Sequence, residues 1–203
     1  MSGAIRRSTA LGLTLLLLPT TALAHPGVAA GGSGFVAGLL HPLGGPDHVL
    51  AMLAMGLWSA QLGGRARWLL PLLFLAEMAA GAGAGMLAFS AAPGATLEIA
   101  LIGSAIALGG LVAARCSPGR GVAAGMGALV AVLHGYAHGL EVPDPSTALG
   151  YGAGFLATTA ALQGIGVALG VALSQRRSGA LLRLGGATLA AAGLAAGWIG
   201  FIG

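Results

Sequence analysis

The chain has 203 residues, 57% of them hydrophobic and only 7% charged, with a mean hydropathy of +0.92. Soluble domains carry about 25% charged residues, so this composition excludes a water-covered surface and fits an integral membrane protein whose apolar runs have the length of helices, not of barrel strands. The net charge of +4 rests on nine basic residues, all arginines, in short loops or at the extreme N-terminus, so it reads as membrane topology and not as a nucleic-acid surface.

Taken in order, residues 1–24 have the form of a secretory signal. Arg6 and Arg7 make the positive start, Leu11 to Leu18 a short apolar stretch, and Thr21-Ala22-Leu23-Ala24 the small-residue cleavage pattern. Cleavage after Ala24 would start the mature chain at His25-Pro26-Gly27 and leave residues 25–203 as one transmembrane domain. Six apolar segments follow, near 34–61, 68–89, 96–114, 121–141, 148–174 and 181–202. The expected fold is therefore an all-α bundle of about six transmembrane helices. Its first helix is interrupted near 42–46: residues 42–45 are expected to turn, and Pro46 suits the first position of the helix that continues.

The loops orient the bundle. Arg65 and Arg67 lie between segments one and two, Arg115 and Arg120 between three and four, and Arg176 and Arg177 between five and six, with Arg183 just inside segment six. The alternate loops carry no arginine, so every positive charge of the mature chain is predicted on one side, the cytoplasm. The mature N-terminus is then periplasmic. Glycines recur four apart at Gly81/Gly85, Gly121/Gly125, Gly166/Gly170 and Gly193/Gly197. This pattern lets helix backbones approach closely, and it is read as packing within one bundle in preference to a dimer seam; the sequence leaves homo-oligomerisation open.

The polar residues are few and grouped. His41-Pro42-Leu43-Gly44-Gly45-Pro46-Asp47-His48 holds two of the five histidines and one of the five acids. Segment four ends His134-Gly135-Tyr136-Ala137-His138-Gly139-Leu140-Glu141, with His134, His138 and Glu141 at helical spacing on one face. The predicted topology puts both groups, and His25, in the outer half. Ionisable groups at membrane depth usually mark a pathway. Imidazole with carboxylate suits a first-row divalent cation, because neutral nitrogens replace water without burying charge and the carboxylate offsets the ion. His25, His41, Asp47, His48, His134, His138 and Glu141 are thus the candidate metal ligands. Asp47 either touches the ion or orients an imidazole, and a lone histidine could equally be hydrogen-bonded packing. His134-x3-His138 lacks the glutamate of a zinc-protease helix, since Gly135 follows the first histidine. Glu77, mid-segment two, is either a way-station or a protonated acid bonded to a neighbouring helix, and Gln163, mid-segment five, could line the same path. The single cysteine, Cys116, excludes an intrachain disulfide and a thiolate cluster.

The run from His41 to Met52, continuing Gly56-Leu-Trp-Ser-Ala-Gln61, resembles the HupE/UreJ family of nickel/cobalt permeases. So do the run His134 to Glu141 and the following Ala148-Leu-Gly-Tyr-Gly-Ala-Gly-Phe155. The resemblance covers nearly the whole mature chain. It implies secondary uptake of Ni²⁺, or sometimes Co²⁺, across the bacterial inner membrane for hydrogenase or urease maturation. Its motif residues fall on His41, Asp47, His48, His134, His138 and Glu141, and its signal-exposed histidine on His25. One departure is Gln163, where members often carry histidine. The expected protein is a permease and not an enzyme, with no permanent cofactor and with the metal ion and membrane lipid as partners. A membrane metalloenzyme, or a metal-binding accessory or sensor protein, would use the same ligand set.

Overall fold

The computed structural model describes residues 34–88, 94–142, 145–174 and 179–202. The expected signal peptide, His25, Asp144, Arg176 and Arg177 lie outside these. The described residues form seven α-helices and no strand: α1 Gly34–Gly44, α2 Pro46–Leu62, α3 Ala66–Leu87, α4 Ala95–Ala113, α5 Arg120–Leu140, α6 Ala148–Ser174 and α7 Ala180–Ile202, with a short 3-10 turn at Pro145–Thr147 before α6. Five of them, α3 to α7, are long and apolar enough to cross a bilayer. The pair α1–α2 covers the first predicted segment, near 34–61, and neither helix alone has that length. This is a multi-pass membrane protein.

The predicted interruption is narrower than expected. Helix continues through Pro42 to Gly44, and only Gly45 is extended, with φ −100° and ψ 109°. Pro42 removes one hydrogen bond and collides with the turn before it, but just two helical residues follow, so α1 ends before a kink can develop. Pro46 does open α2, where its missing N–H costs nothing.

α2 is the hub. All seven residues from Ala54 to Ala60 are buried, so this helix has no lipid face. It packs on α6, α4, α3 and α7, while α3 pairs with α5 and α4 with α7. Apolar side chains such as Leu72, Leu129, Ile165, Leu184 and Trp198 point outward, as a bilayer requires. Glycine sets the close helix crossings. Gly81 and Gly85 of α3 meet the α5 backbone at Val132 and Tyr136, and Gly135 and Gly139 of α5 meet α3 at Met78 and Ala82. Gly166 and Gly170 lie against α2, and Gly193 and Gly197 against Ile106 and Ile102 of α4. Three of the four glycine pairs singled out in the sequence therefore pack inside the bundle. Gly121 and Gly125 face open space.

Three hydrogen bonds gather one end. Trp58 Nε1 and Gln61 Nε2 donate to the Cys116 carbonyl at 2.9 and 3.1 Å, and Arg183 Nε donates to the Ala113 carbonyl at 3.2 Å. These contacts bring the α2–α3 and α4–α5 loops and the start of α7 together, and with them every described arginine. The histidines lie toward the opposite end.

Candidate metal centre

Two helix ends meet at the arginine-free side. His41 is in the last turn of α1, His138 is in the last turn of α5, and Glu141 caps α5. α1 is held there because Gly38 and Gly154 let α1 and α6 touch backbone to backbone, at Tyr151 and Phe35. His41 Nε2 is 2.9 Å from His138 Nδ1, His41 Nε2 is 3.0 Å from Glu141 Oε2, and His138 Nδ1 is 3.0 Å from the same oxygen. The three atoms make a nearly equilateral triangle. Side-chain exposures of 32% for His41 and 37% for Glu141 open it to the outside, while His138, at 12%, forms its floor.

With Glu141 ionised, no arrangement of protons satisfies that triangle. A carboxylate only accepts, and each imidazole nitrogen either donates or accepts. If both nitrogens carry protons, two donors face each other; if one does not, its lone pair faces the carboxylate. A cation in front of all three removes the conflict. Donors about 2.1 Å from one ion are about 3.0–3.4 Å apart, so sides of 2.9–3.0 Å let a single ion reach all three atoms. Glu141 supplies the one carboxylate of the triangle.

A line of side chains descends from the triangle. His138 Nε2 is 3.1 Å from His48 Nδ1, and His48 Nε2 is 3.2 Å from Thr159 Oγ1. When His138 Nε2 donates to His48 and His48 Nε2 donates to Thr159, His138 Nδ1 keeps its lone pair for a cation. The reverse chain, Thr159 donating to His48 and His48 to His138, satisfies the same contacts but puts a proton on His138 Nδ1, so a cation at the triangle selects the first arrangement. His134 is one turn deeper on α5. Its Nδ1 donates to the Val130 carbonyl at 3.0 Å, so Nε2 carries the lone pair, and that nitrogen is buried without a partner among the described residues. Its ring centroid is 5.5 Å from that of His48.

The structure thus brings His41, His138 and Glu141 together, with His48 joined by one hydrogen bond and His134 against it. Asp47 sits in the first turn of α2 and makes no hydrogen bond among the described residues. Glu77 is half-buried on α3, also without a partner among them. Gln163 is buried at 1% exposure, with its Nε2 3.7 Å from Met52 Sδ. Sequence reasoning missed the wall of the site. Phe155 packs against His138, His48 and His41 at centroid distances of 4.6, 5.1 and 6.3 Å, and Tyr151 lies 5.5 Å from His41. A signal existed: Tyr151, Phe155, Thr159 and Gln163 recur every four residues, a single stripe along α6.

A family profile described as "HupE / UreJ protein" matches residues 13–196. The chain is also similar to "Protein HupE" of Rhizobium leguminosarum bv. viciae, 39% identical over 183 residues, which span 90% of this chain and 93% of that protein. No solved structure matches.

Proposed function

The chain belongs to the HupE/UreJ family, and from that premise we propose that it is a secondary permease importing a divalent transition metal, Ni²⁺ or Co²⁺, across the bacterial inner membrane to supply metalloenzyme maturation. The observation that carries this reading is the triangle of His41, His138 and Glu141, which offers two nitrogens and one charged oxygen at the outer mouth of a membrane bundle. The arginine-rich end faces the cytoplasm and the mature N-terminus the periplasm. His25 would capture the ion before the triangle does. His41, His138 and Glu141 then exchange its water for protein ligands, with His48, His134 and Asp47 taking it further inward. The ion is cargo, and the protein carries no catalytic group. A membrane potential of 100 mV favours inward movement of a dication by about 4.6 kcal/mol, twice the value for one charge.

Uptake of radioactive Ni²⁺ and Co²⁺ by cells that lack other importers tests the proposal. Wild type should accumulate metal, and Glu141→Gln, which removes the only charge in the triangle, should lower uptake at least tenfold. A well-expressed wild type that binds metal but accumulates none would instead be an accessory protein.

Thr159→Val provides a second test, because it removes the hydroxyl 3.2 Å from His48 Nε2 while nearly preserving shape. Losing a group that orients a ligand typically weakens metal binding 10–100-fold. Ni²⁺ titration of the purified variant should show a loss in that range. Unchanged affinity would remove the His48–Thr159 bond from the site.

A further inference from the structure

Below the triangle, two buried acceptors have no hydrogen-bond partner among the described residues: His134 Nε2 and Gln163 Oε1. Both residues are 1% exposed or less. An unpaired acceptor at membrane depth is costly, and two close to one path call for a common explanation. Met52 is on the same path. It follows His48 by one turn of α2, as Gln163 follows Thr159 by one turn of α6, so the Met52–Gln163 contact repeats the His48–Thr159 contact one step of about 6 Å further from the mouth. The His134 ring leans back along α5 toward Val130, in the same direction. Met52 is fully buried, with its sulfur 3.7 Å from the Gln163 amide nitrogen.

We infer that His134 Nε2, Met52 Sδ and Gln163 Oε1 form a second, inner cation station that receives the ion from the outer triangle. This rests on the transport reading above and adds to it a residue that motif spacing did not single out, Met52. The donors are chemically unlike those of the triangle. None is charged, so the station holds a dication more weakly than the mouth does, as passage requires. The thioether is a soft donor and disfavours Mg²⁺ and Ca²⁺, which prefer oxygen. The triangle captures and the inner station selects. Reorienting the Gln163 amide to present Oε1 to the ion would give up only the weak contact between Nε2 and sulfur.

Nickel K-edge X-ray absorption of the purified full chain in lipid nanodiscs tests this, together with uptake in cells. Wild type loaded below one equivalent of Ni²⁺ should show nitrogen and oxygen neighbours. Glu141→Gln weakens the mouth and should bring a sulfur neighbour into the spectrum, and adding Met52→Leu should remove it. In cells, Met52→Leu and Gln163→Leu should each lower the maximal uptake rate at least tenfold and leave the half-saturating concentration within twofold, since capture at the mouth is intact. A defect in folding alone would lower protein yield without moving the sulfur signal. Absence of sulfur in Glu141→Gln, with wild-type rates in Met52→Leu and Gln163→Leu, would overturn the inner station and leave the transport reading standing. A wild type that neither binds nor accumulates Ni²⁺ would overturn both.

Discussion

Replacing His138 with alanine is expected to reduce Ni²⁺ uptake to background and to weaken binding by about 100-fold or more, the largest effect of any single side chain at the site. His138 is the residue that joins the triangle to the line of side chains below it. Its Nδ1 closes the triangle with His41 and Glu141, and its Nε2 carries the connection to His48. Removing it deletes a donor, unbinds the carboxylate from one of its two hydrogen-bond partners and isolates the mouth from the interior. A 100-fold loss corresponds to about 2.8 kcal/mol, modest for a ligand that also orients its neighbours. Titration of the purified variant with Ni²⁺ and an uptake assay at matched expression give the two readouts. Uptake within twofold of wild type would remove His138, and with it the triangle, from the pathway.

Gly56→Leu is expected to destabilise the bundle by about 3 kcal/mol or more and to abolish transport, although Gly56 has no side chain with which to hold an ion. A Cβ there would overlap the Gln163 carbonyl oxygen and stand 2.8 Å from the Gly166 Cα. These are backbone atoms that cannot swing away, so α2 and α6 must separate, at or above the upper range for overpacked cores. The separation would also break the His48–Thr159 and Met52–Gln163 pairs, which span the same two helices. Gly83→Leu is the control. Its Cβ would meet nothing within 4 Å, so it should melt within a few degrees of wild type and transport normally. Thermal melting in detergent and folded yield distinguish the two; a Gly56→Leu protein as stable as Gly83→Leu would show that the α2–α6 crossing tolerates a wider spacing.

The route from residues to site was partly open in the sequence. His134, His138 and Glu141 share a face because four- and three-residue steps return to one side of a helix, a property of the local backbone alone. Pro46 opens α2 for an equally local reason, its missing N–H. Local rules overstated the break at Pro42, because a proline near a helix end has little helix left to disturb. The stripe from Tyr151 to Gln163 had the right period, but its residues mix aromatic, hydroxyl and amide groups, and no single chemistry marks them as one surface.

By itself, the sequence determined the membrane class, the helix spans to within a few residues, the arginine loops and the grouping of histidine and carboxylate side chains, since each depends on composition or on spacing along one chain segment. The tertiary structure decided which of those side chains meet. His41 and Glu141 are 100 positions apart, and their contact depends on α1 and α5 converging, with α1 seated on α6 where Gly38 and Gly154 let backbones touch. It also decided that Asp47, one residue from His48, stays out of the triangle, which His41, His138 and Glu141 close from two other helices.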